Sequence, residues 1–282
     1  MFLNGFYINL DRSAERRQFL NDQLHTLGLE SRIQRFAAVD GATGPFDTRL
    51  ANAIWACRRS HECVIAQPDA DTATIVLEDD CELSTHFPKI LTEDTVRWFV
   101  ESEPTVDIVW LDCAAYWSKA PLLLDWMERV MSPPESGLVR PHLQTLGIVD
   151  ARGCYSYAAA AYIVTPAGKR TLARLFDSAR VSPAIPIDTL YNHWIYTGEL
   201  NAKIFVPFLA TPRVAVRSTI DHDVSEVDDM DEIGWGSVLR RALYADSSNE
   251  EFSGLDPMAS LPPKSIQYEL GMRMYDRFRW RD

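Results

Sequence analysis

The stretch ATIVLEDDCEL, residues 73–83, places an apolar run directly before three acidic residues. Residues Thr74–Leu77 are apolar or β-branched, which favours a buried strand. Glu78, Asp79 and Asp80 follow without a break. Carboxylates this close repel one another, and each resists burial unless a cation meets it. The stretch therefore predicts a strand that ends either in solvent or at a site built to hold a cation.

Strand and helix patterns alternate around this stretch through the first half of the chain. The helical patterns carry apolar residues at three- and four-residue spacing, and turn residues separate them from the strands. This alternation predicts an α/β fold with a mainly parallel sheet and helices on its faces. The predicted strands are residues 5–10, 31–41, 73–77 and 106–112, and the predicted helices are residues 11–28 and 48–67.

The second half of the chain is less regular. By composition, YAAAAYIVT, residues 157–165, could form either a strand or a helix. Pro166 and Gly168, which follow it, favour a strand. Residues 221–232 contain seven acidic residues and no Lys or Arg, which predicts a solvated loop. The other predicted elements are helices at 122–131, 169–176 and 186–196 and a strand at 202–210.

Composition bounds the class of protein. The chain has 282 residues, a formal net charge of -12 and a pI near 5.0, and such a surface repels the phosphate backbone of nucleic acids. The five cysteines are odd in number and include no CxxC pair, which favours reduced thiols in a cytosol-like compartment. The N-terminus lacks a signal-peptide pattern, and no apolar run of about 18 residues predicts a transmembrane helix.

The acidic cluster has the spacing of a metal site. Glu78 and Asp80 are two residues apart, so they point to the same side of an extended backbone. In parallel α/β sheets, ligands bind beyond the carboxyl ends of the strands, where both acids are predicted to lie. Two carboxylates on one side suit Mg²⁺ or Mn²⁺, which also bind substrate phosphates. The alternative is a solvated strand end.

Arginines cluster at the start of the first predicted helix. Arg12, Arg16 and Arg17 lie where cations oppose the helix macrodipole. An anion bound at this helix end would remove the conflict, because helix N-termini and arginines both suit phosphate. The alternative is that the three side chains point into solvent.

Two further positions are candidates for chemistry. His61 lies on the apolar stripe of the helix at 48–67, either as a core histidine or, with Ser60, facing a substrate cleft. A hydrolase triad has little support, because the chain contains no GxSxG motif. Asp188 begins the helix at 186–196, where an acid suits the macrodipole, and the alternative is a general base aimed into a cleft.

Several short motifs occur in a defined order. They are INLDRSxERR at 8–17, FxAVDG at 36–41, CxxSH at 57–61, IxLEDDxxL at 75–83, AYIVxxxxKxxL at 161–172, PxD at 186–188 and SxI at 218–220. In order and rough spacing they resemble glycosyltransferase family 25, the group of bacterial lipopolysaccharide glycosyltransferases and collagen galactosyltransferases. This chain has Ala56 and Ala158–Ala160 where the family pattern has glycine. The resemblance ends near residue 221.

The resemblance implies a GT-A type nucleotide-binding α/β/α sandwich over residues 1–220. Residues 221–282 would be an acidic loop and a C-terminal helical extension packed on the same domain. The implied activity is inverting transfer of a hexose, by expectation galactose, from a UDP-sugar to a hydroxyl group. The acceptor would be a glycan, a lipid-linked glycan or lipopolysaccharide, and Mn²⁺ or Mg²⁺ would assist.

The resemblance also implies roles for individual residues. Asp80 would bind the metal, Glu78 or Asp79 would help through water or ribose, and His222 would be a late metal ligand. The base that deprotonates the acceptor would be Asp188, with Asp112 as second choice. The expected nucleotide and donor contacts are Asn9, Arg12, Arg16, Asp40, Ser60 and His61.

Two other functions use the same features. A non-catalytic sugar-nucleotide-binding protein would keep the fold, and a metal-dependent phosphoesterase or nucleotidyltransferase would use the same acids. The chain is expected in the cytoplasm. Its tail carries Met274, Phe278 and Trp280 among four arginines, which predicts peripheral contact with an anionic membrane, and a packed C-terminal helix is the alternative.

Overall fold

The computed structural model describes residues 2–67, 69–114, 119–130, 146–179, 185–213 and 239–246. The predicted acidic loop at 221–232, His222 and the arginine-rich tail lie outside the described residues. Among the helices in the described ranges, none combines the length and the apolar composition that a membrane span requires.

The described part of the chain alternates strands and helices from its start. The strands are β1 (Leu3–Asn9), β2 (Ile33–Ala37), β3 (Ala73–Glu78), β4 (Cys81–Leu83), β5 (Ile108–Trp110), β6 (Gly147–Asp150), β7 (Ala161–Val164), β8 (Ala202–Val206) and β9 (Ala210–Pro212). The helices are α1 (Ala14–Thr26), α2 (Arg49–Ile65), α3 (Phe87–Ile90), α4 (Glu93–Ser102), α5 (Ala120–Val130), α6 (Pro166–Ser178) and α7 (Ile187–Thr197).

Seven of these strands form one mixed sheet in the order β2-β1-β3-β7-β5-β8-β6. Strands β1, β2, β3, β5 and β8 run in one direction, and β6 and β7 run in the other. The α/β class with a central sheet and flanking helices is therefore confirmed. The sheet is less uniform than predicted, because β7 enters it antiparallel between β3 and β5.

Helices cover both faces of the sheet. On β3, Ile75 and Leu77 pack on one face in a core that includes Leu20 of α1. Val76 points to the opposite face and packs in a second core that includes Val64 of α2. A strand buried on both faces has a continuous apolar run, which explains why residues 73–77 lack the alternation of a half-exposed strand.

The predicted strand at 202–210 is wrong in extent. It ends at Val206, because Pro207 has no N–H to donate to the sheet. The chain then forms β9, which pairs with β4 in a separate two-stranded sheet. The predicted strand at 157–165 is also shorter, and only Ala161–Val164 are strand.

Strand register brings three chain segments to one edge of the sheet. Asn9 at the end of β1 lies opposite Ala37 at the end of β2, and Ile8 lies opposite Glu78 at the end of β3. Because these strands are parallel, their carboxyl ends meet at the same edge. The loops that follow them, the start of α1 and one face of α2 surround this edge.

Candidate functional site

A cleft of about 490 Å³ opens at this edge of the sheet. Its lining joins the acids after β3, the arginines at the start of α1 and one side of α2. The structure thus brings together residues that are up to 72 positions apart in the sequence, between Ile8 and Asp80. The predicted site residues that line the cleft are Arg12, Arg16, Ser60, His61, Glu78, Asp79 and Asp80.

Asp79 is held by two partners. Its Oδ2 accepts a hydrogen bond of 2.7 Å from Nδ2 of Asn9, and its Oδ1 accepts one of 2.9 Å from Arg16. Asn9 is almost fully buried, and its Oδ1 accepts a bond of 2.9 Å from Nε of Arg35. Asn9 does not itself line the cleft. It contacts the site through its hydrogen bond to Asp79, which does line the cleft.

Asp80 is the least satisfied acid of the cluster. Its Oδ2 lies 3.5 Å from the Arg16 guanidinium, whereas its Oδ1 is buried and has no hydrogen-bond partner among the described residues. Burial, with the negative charge of Glu78 next in importance, raises the pKa of Asp80 to about 7. A buried carboxylate oxygen with no donor is the kind of group that a divalent cation stabilises.

Glu78 is paired with His61. Nε2 of His61 lies 3.3 Å from Oε1 of Glu78, and Nδ1 of His61 lies 2.7 Å from the hydroxyl of Tyr162. Burial opposes ionisation of Glu78, but His61, Arg240 and Arg16 outweigh it and lower the pKa of the Glu78 carboxyl. Glu78 therefore stays ionised more readily than Asp80.

Cys57 joins Glu78 and His61 on the α2 side of the cleft. One ligand atom from each of the three residues lies within 4.8 Å of the others. Burial raises the pKa of the Cys57 thiol, and the charges of Glu78, Asp188 and Asp80 raise it further. Glu78 and Asp80 line the cleft together with Cys57, whereas Asp188 does not line it.

At the rim, Arg12 forms an ion pair with Asp40. Asp40 also accepts a hydrogen bond of 2.8 Å from the Ala42 N–H and so caps the short turn Gly41–Thr43. The hydrogen bond from Arg12, then that from Ala42, lowers the pKa of the Asp40 carboxyl. Both partners are exposed, so they remain available to a ligand at the mouth of the cleft.

Ser60 is buried in the cleft wall. Its hydroxyl donates a hydrogen bond of 2.7 Å to the Ala56 carbonyl and accepts one of 2.9 Å from the Val39 N–H. These bonds tie α2 to the loop after β2, which is the local reason that His61, the next residue, points at the sheet edge. The observed contacts of Ser60 are structural.

Asp188 lies at the start of α7, half-buried. Its Oδ2 accepts a hydrogen bond of 3.3 Å from the Ala158 N–H, and its Oδ1 accepts one of 2.8 Å from the Thr189 N–H. Ala158 has φ +83°, a left-handed conformation that favours glycine. This is one of the positions where the chain has alanine and the family pattern has glycine.

Asp112 is placed differently from Asp188. Its carboxylate is fully buried and forms a two-bond ion pair with Arg240, one bond being 3.0 Å from Nε to Oδ1. Burial raises the pKa of Asp112, and Arg240 opposes that rise. Asp112 does not line the cleft, and both of its oxygens are already bonded.

Sequence reasoning missed Arg240 and Tyr162 as parts of the site. Arg240 belongs to a segment without a motif, 128 residues from Asp112, so no local pattern marks it. Tyr162 lies inside the motif AYIVxxxxKxxL and within the strand β7. The apolar residues around it indicate that the strand is buried, but they do not indicate that the Tyr162 hydroxyl contacts His61. His222 lies outside the described residues.

A scan against models of protein families finds no match, and a search of curated proteins finds no relative of significant sequence similarity. The motifs of the chain and the geometry of the cleft therefore carry the functional proposal.

Proposed function

We propose that this chain is a metal-assisted, inverting glycosyltransferase of GT-A type. It would transfer a hexose, with galactose as the expected sugar, from a UDP-sugar to a hydroxyl group of a glycan, lipid-linked glycan or lipopolysaccharide acceptor. The observation that carries the proposal is Asp80, whose buried Oδ1 lacks a partner among the described residues in a cleft that also holds Glu78 and Arg16.

The acids at the end of β3 fit a hard divalent ion. Asp80 offers the free oxygen, and Glu78 lies close enough to raise the pKa of Asp80. When bound, Mn²⁺ or Mg²⁺ would neutralise charge on the diphosphate leaving group. Asp79 is committed to Asn9 and Arg16, so its role is to orient the arginine beside the ion.

The start of α1 supplies the phosphate side of the cleft. Arg12 and Arg16 both line it, and α1 begins between them at Ala14 without a side-chain cap on its first-turn N–H groups. Arg16 already lies between two carboxylates, so a diphosphate bound there would share the guanidinium with Asp79. This arrangement suits a nucleotide diphosphate better than an uncharged ligand.

Asp188 is the group we assign to deprotonation of the acceptor. Its carboxylate would take the hydroxyl proton while the acceptor oxygen bonds to C1 of the sugar, and the electron pair of the broken C1–O bond would leave with UDP. Attack from the face opposite UDP inverts the configuration at C1. Asp112 suits this role less well, because it is fully buried in an ion pair with Arg240, whereas Asp188 is half-buried and bonds only to backbone N–H groups.

Donor binding is tested by calorimetric titration of UDP and a panel of UDP-sugars, with Mn²⁺ and with EDTA. We expect binding to wild type only with the ion, and none to Asp80→Ala. Asp71→Ala, which changes an exposed acid before β3, is the matched control and keeps binding. Equal binding in EDTA, or by Asp80→Ala, contradicts the metal role. Absence of UDP binding under all conditions contradicts the transferase proposal.

Transfer is tested with Asp188→Asn once an acceptor supports turnover. We expect kcat to fall by about 10²- to 10⁴-fold, since general-base catalysis contributes that much, while UDP binding is retained. Asp94→Asn, an exposed acid in the first turn of α4, serves as the control and keeps the wild-type rate. A near wild-type rate for Asp188→Asn would exclude it as the base. Release of phosphate or transfer of the nucleotide, with no sugar transfer, would favour a phosphoesterase or nucleotidyltransferase.

A further inference from the structure

The α2 side of the cleft contains a mixed set of side chains that the proposed transfer does not use as a set. Cys57 and His61 lie one turn apart on α2, and Glu78 ends β3 beside them. Their ligand atoms, a thiol sulfur, an imidazole nitrogen and a carboxylate oxygen, lie within 4.8 Å of one another. We propose that Cys57, His61 and Glu78 form a second metal site that takes Zn²⁺ in preference to Mn²⁺ or Mg²⁺.

The distances suit a tetrahedral ion. The ligand atoms of tetrahedral zinc lie roughly 3.3–3.8 Å apart, given the usual zinc–ligand bond lengths. The Nε2 of His61 and Oε1 of Glu78 are already 3.3 Å apart. The Cys57 sulfur lies within 4.8 Å of a ring nitrogen of His61 and of a carboxylate oxygen of Glu78, so the three residues need only a small adjustment to reach these spacings. All three residues line the cleft, which gives an ion a path from solvent and leaves the fourth position facing the cleft.

The surroundings orient the imidazole for a metal. The hydroxyl of Tyr162 holds Nδ1 of His61 at 2.7 Å, and the hydroxyl of Tyr191 lies 3.3 Å from that of Tyr162. A hydroxyl can donate or accept, so Tyr162 can accept from Nδ1–H and leave the Nε2 lone pair free for an ion. A partner of this kind behind a ligand histidine is usual in metal sites and strengthens binding.

The ligand types decide which ion is preferred. Thiolate and imidazole favour zinc, whereas Mn²⁺ and Mg²⁺ prefer sites with oxygen ligands only, such as the Asp80 carboxylate together with the phosphates of a bound diphosphate. The metal-free thiol of Cys57 is protonated, since burial raises its pKa. Binding therefore replaces the S–H bond with an S–Zn bond and releases that proton to solvent, and the proton that Nε2 of His61 shares with Glu78 moves to Nδ1, where the Tyr162 hydroxyl accepts its hydrogen bond. The proposed zinc site and the acid cluster share Glu78. The zinc site differs from the cluster because its other two ligands are Cys57 and His61.

Cobalt substitution tests the proposal, because Co²⁺ bound to a thiolate gives a charge-transfer absorption band. The full chain, stripped with EDTA, is titrated with CoCl₂, and ZnCl₂ is then added. We expect a thiolate band that saturates at one Co²⁺ per chain, and displacement of that band by Zn²⁺. Cys57→Ser loses the band, whereas Cys63→Ser, which changes the next cysteine of α2, keeps it. Far-UV circular dichroism checks that each variant is folded.

Two more variants separate this site from its neighbours. Tyr162→Phe keeps the thiolate band and weakens Co²⁺ affinity by about 10- to 100-fold, the range seen when a group behind a ligand histidine is removed. Asp80→Asn keeps both the band and the affinity, even though it removes the proposed donor-site ion. The proposal is overturned if wild type gives no thiolate band, if Cys57→Ser keeps it, or if Asp80→Asn abolishes it. UDP binding does not enter these readouts, so this site and the transferase proposal fail independently.

Discussion

At the scale of single residues, Asp80 shows the most direct conflict between burial and charge. Its carboxyl is held among other acids, one of its oxygens has no partner among the described residues, and its pKa is raised to about 7. An unfolded chain leaves this carboxyl in water, with a pKa near 3.9. At this carboxyl, the folded, metal-free protein therefore holds a proton that the unfolded chain has lost between about pH 4 and pH 7.

The sign of the resulting pH dependence follows from this proton. Because the folded state holds it, the contribution of Asp80 to the free energy of unfolding decreases as pH rises from about 4 to about 7 and is level above that. Asp80→Asn lacks this contribution. We expect the free energy of unfolding of the variant, relative to wild type, to increase as pH rises from about 4 to about 7. Urea denaturation in EDTA at several pH values measures this difference. A stability difference that does not change with pH would contradict the prediction.

At the scale of elements, the start of α6 is fixed by how closely it approaches β5. The Thr165 hydroxyl caps the helix by accepting a hydrogen bond of 2.9 Å from the Gly168 N–H. The same hydroxyl donates one of 2.7 Å to the Val106 carbonyl. A Cβ atom on Gly168 would lie 1.8 Å from the carbonyl oxygen of Asp107. Glycine is therefore required at this position by backbone contact between the helix and the strand beside it.

Gly168→Ala tests this contact. The helix cannot keep its position with a methyl group at that distance, so we expect the free energy of unfolding to fall by about 2–3 kcal/mol, as for overpacked sites. The measurement is urea denaturation at fixed pH. Gly153→Ala is the control, because a Cβ atom there meets nothing within 4 Å, and its effect should stay within about 0.5 kcal/mol. Equal effects of the two substitutions would contradict the argument.

At the scale of the whole molecule, residues 239–246 tie a late part of the chain to the sheet edge near the cleft. The Phe208 N–H donates 2.7 Å to the Leu243 carbonyl, and the Thr85 N–H donates 2.6 Å to Asp246. Arg240 reaches the fully buried Asp112 and also lowers the pKa of Glu78. The positive charge of Arg240 therefore helps to keep Glu78, a member of the acid cluster, ionised.

A double-mutant cycle measures what this ion pair does. Arg240→Leu leaves Asp112 buried and unpaired, so we expect a loss of about 3–5 kcal/mol in the free energy of unfolding. Asp112→Leu leaves the arginine unpaired and is also destabilising. The double variant has no uncompensated charge and should lose less than the sum of the two single variants. Additive effects in urea denaturation would show that the pair is not coupled.

The sequence was sufficient for the architecture where the signal is local. The apolar run of β3 and the spacing of apolar residues in α2 reflect burial and helical period, and both elements form where they were predicted. The placement of these acids at a strand end was also predicted, with Glu78 as the last residue of β3 and Asp80 in the turn after it. The structure adds that Arg12 and Arg16 line the same cleft as these acids.

Only the tertiary structure decided which partner each polar group takes. Asn9 is turned toward Asp79, Asp112 is enclosed with Arg240, and Tyr162 is directed at His61. Local patterns record whether a residue is buried, but not which distant group it meets. That choice depends on the packing of elements far apart in the chain, and it separates the fully buried Asp112, in its ion pair with Arg240, from the half-buried Asp188.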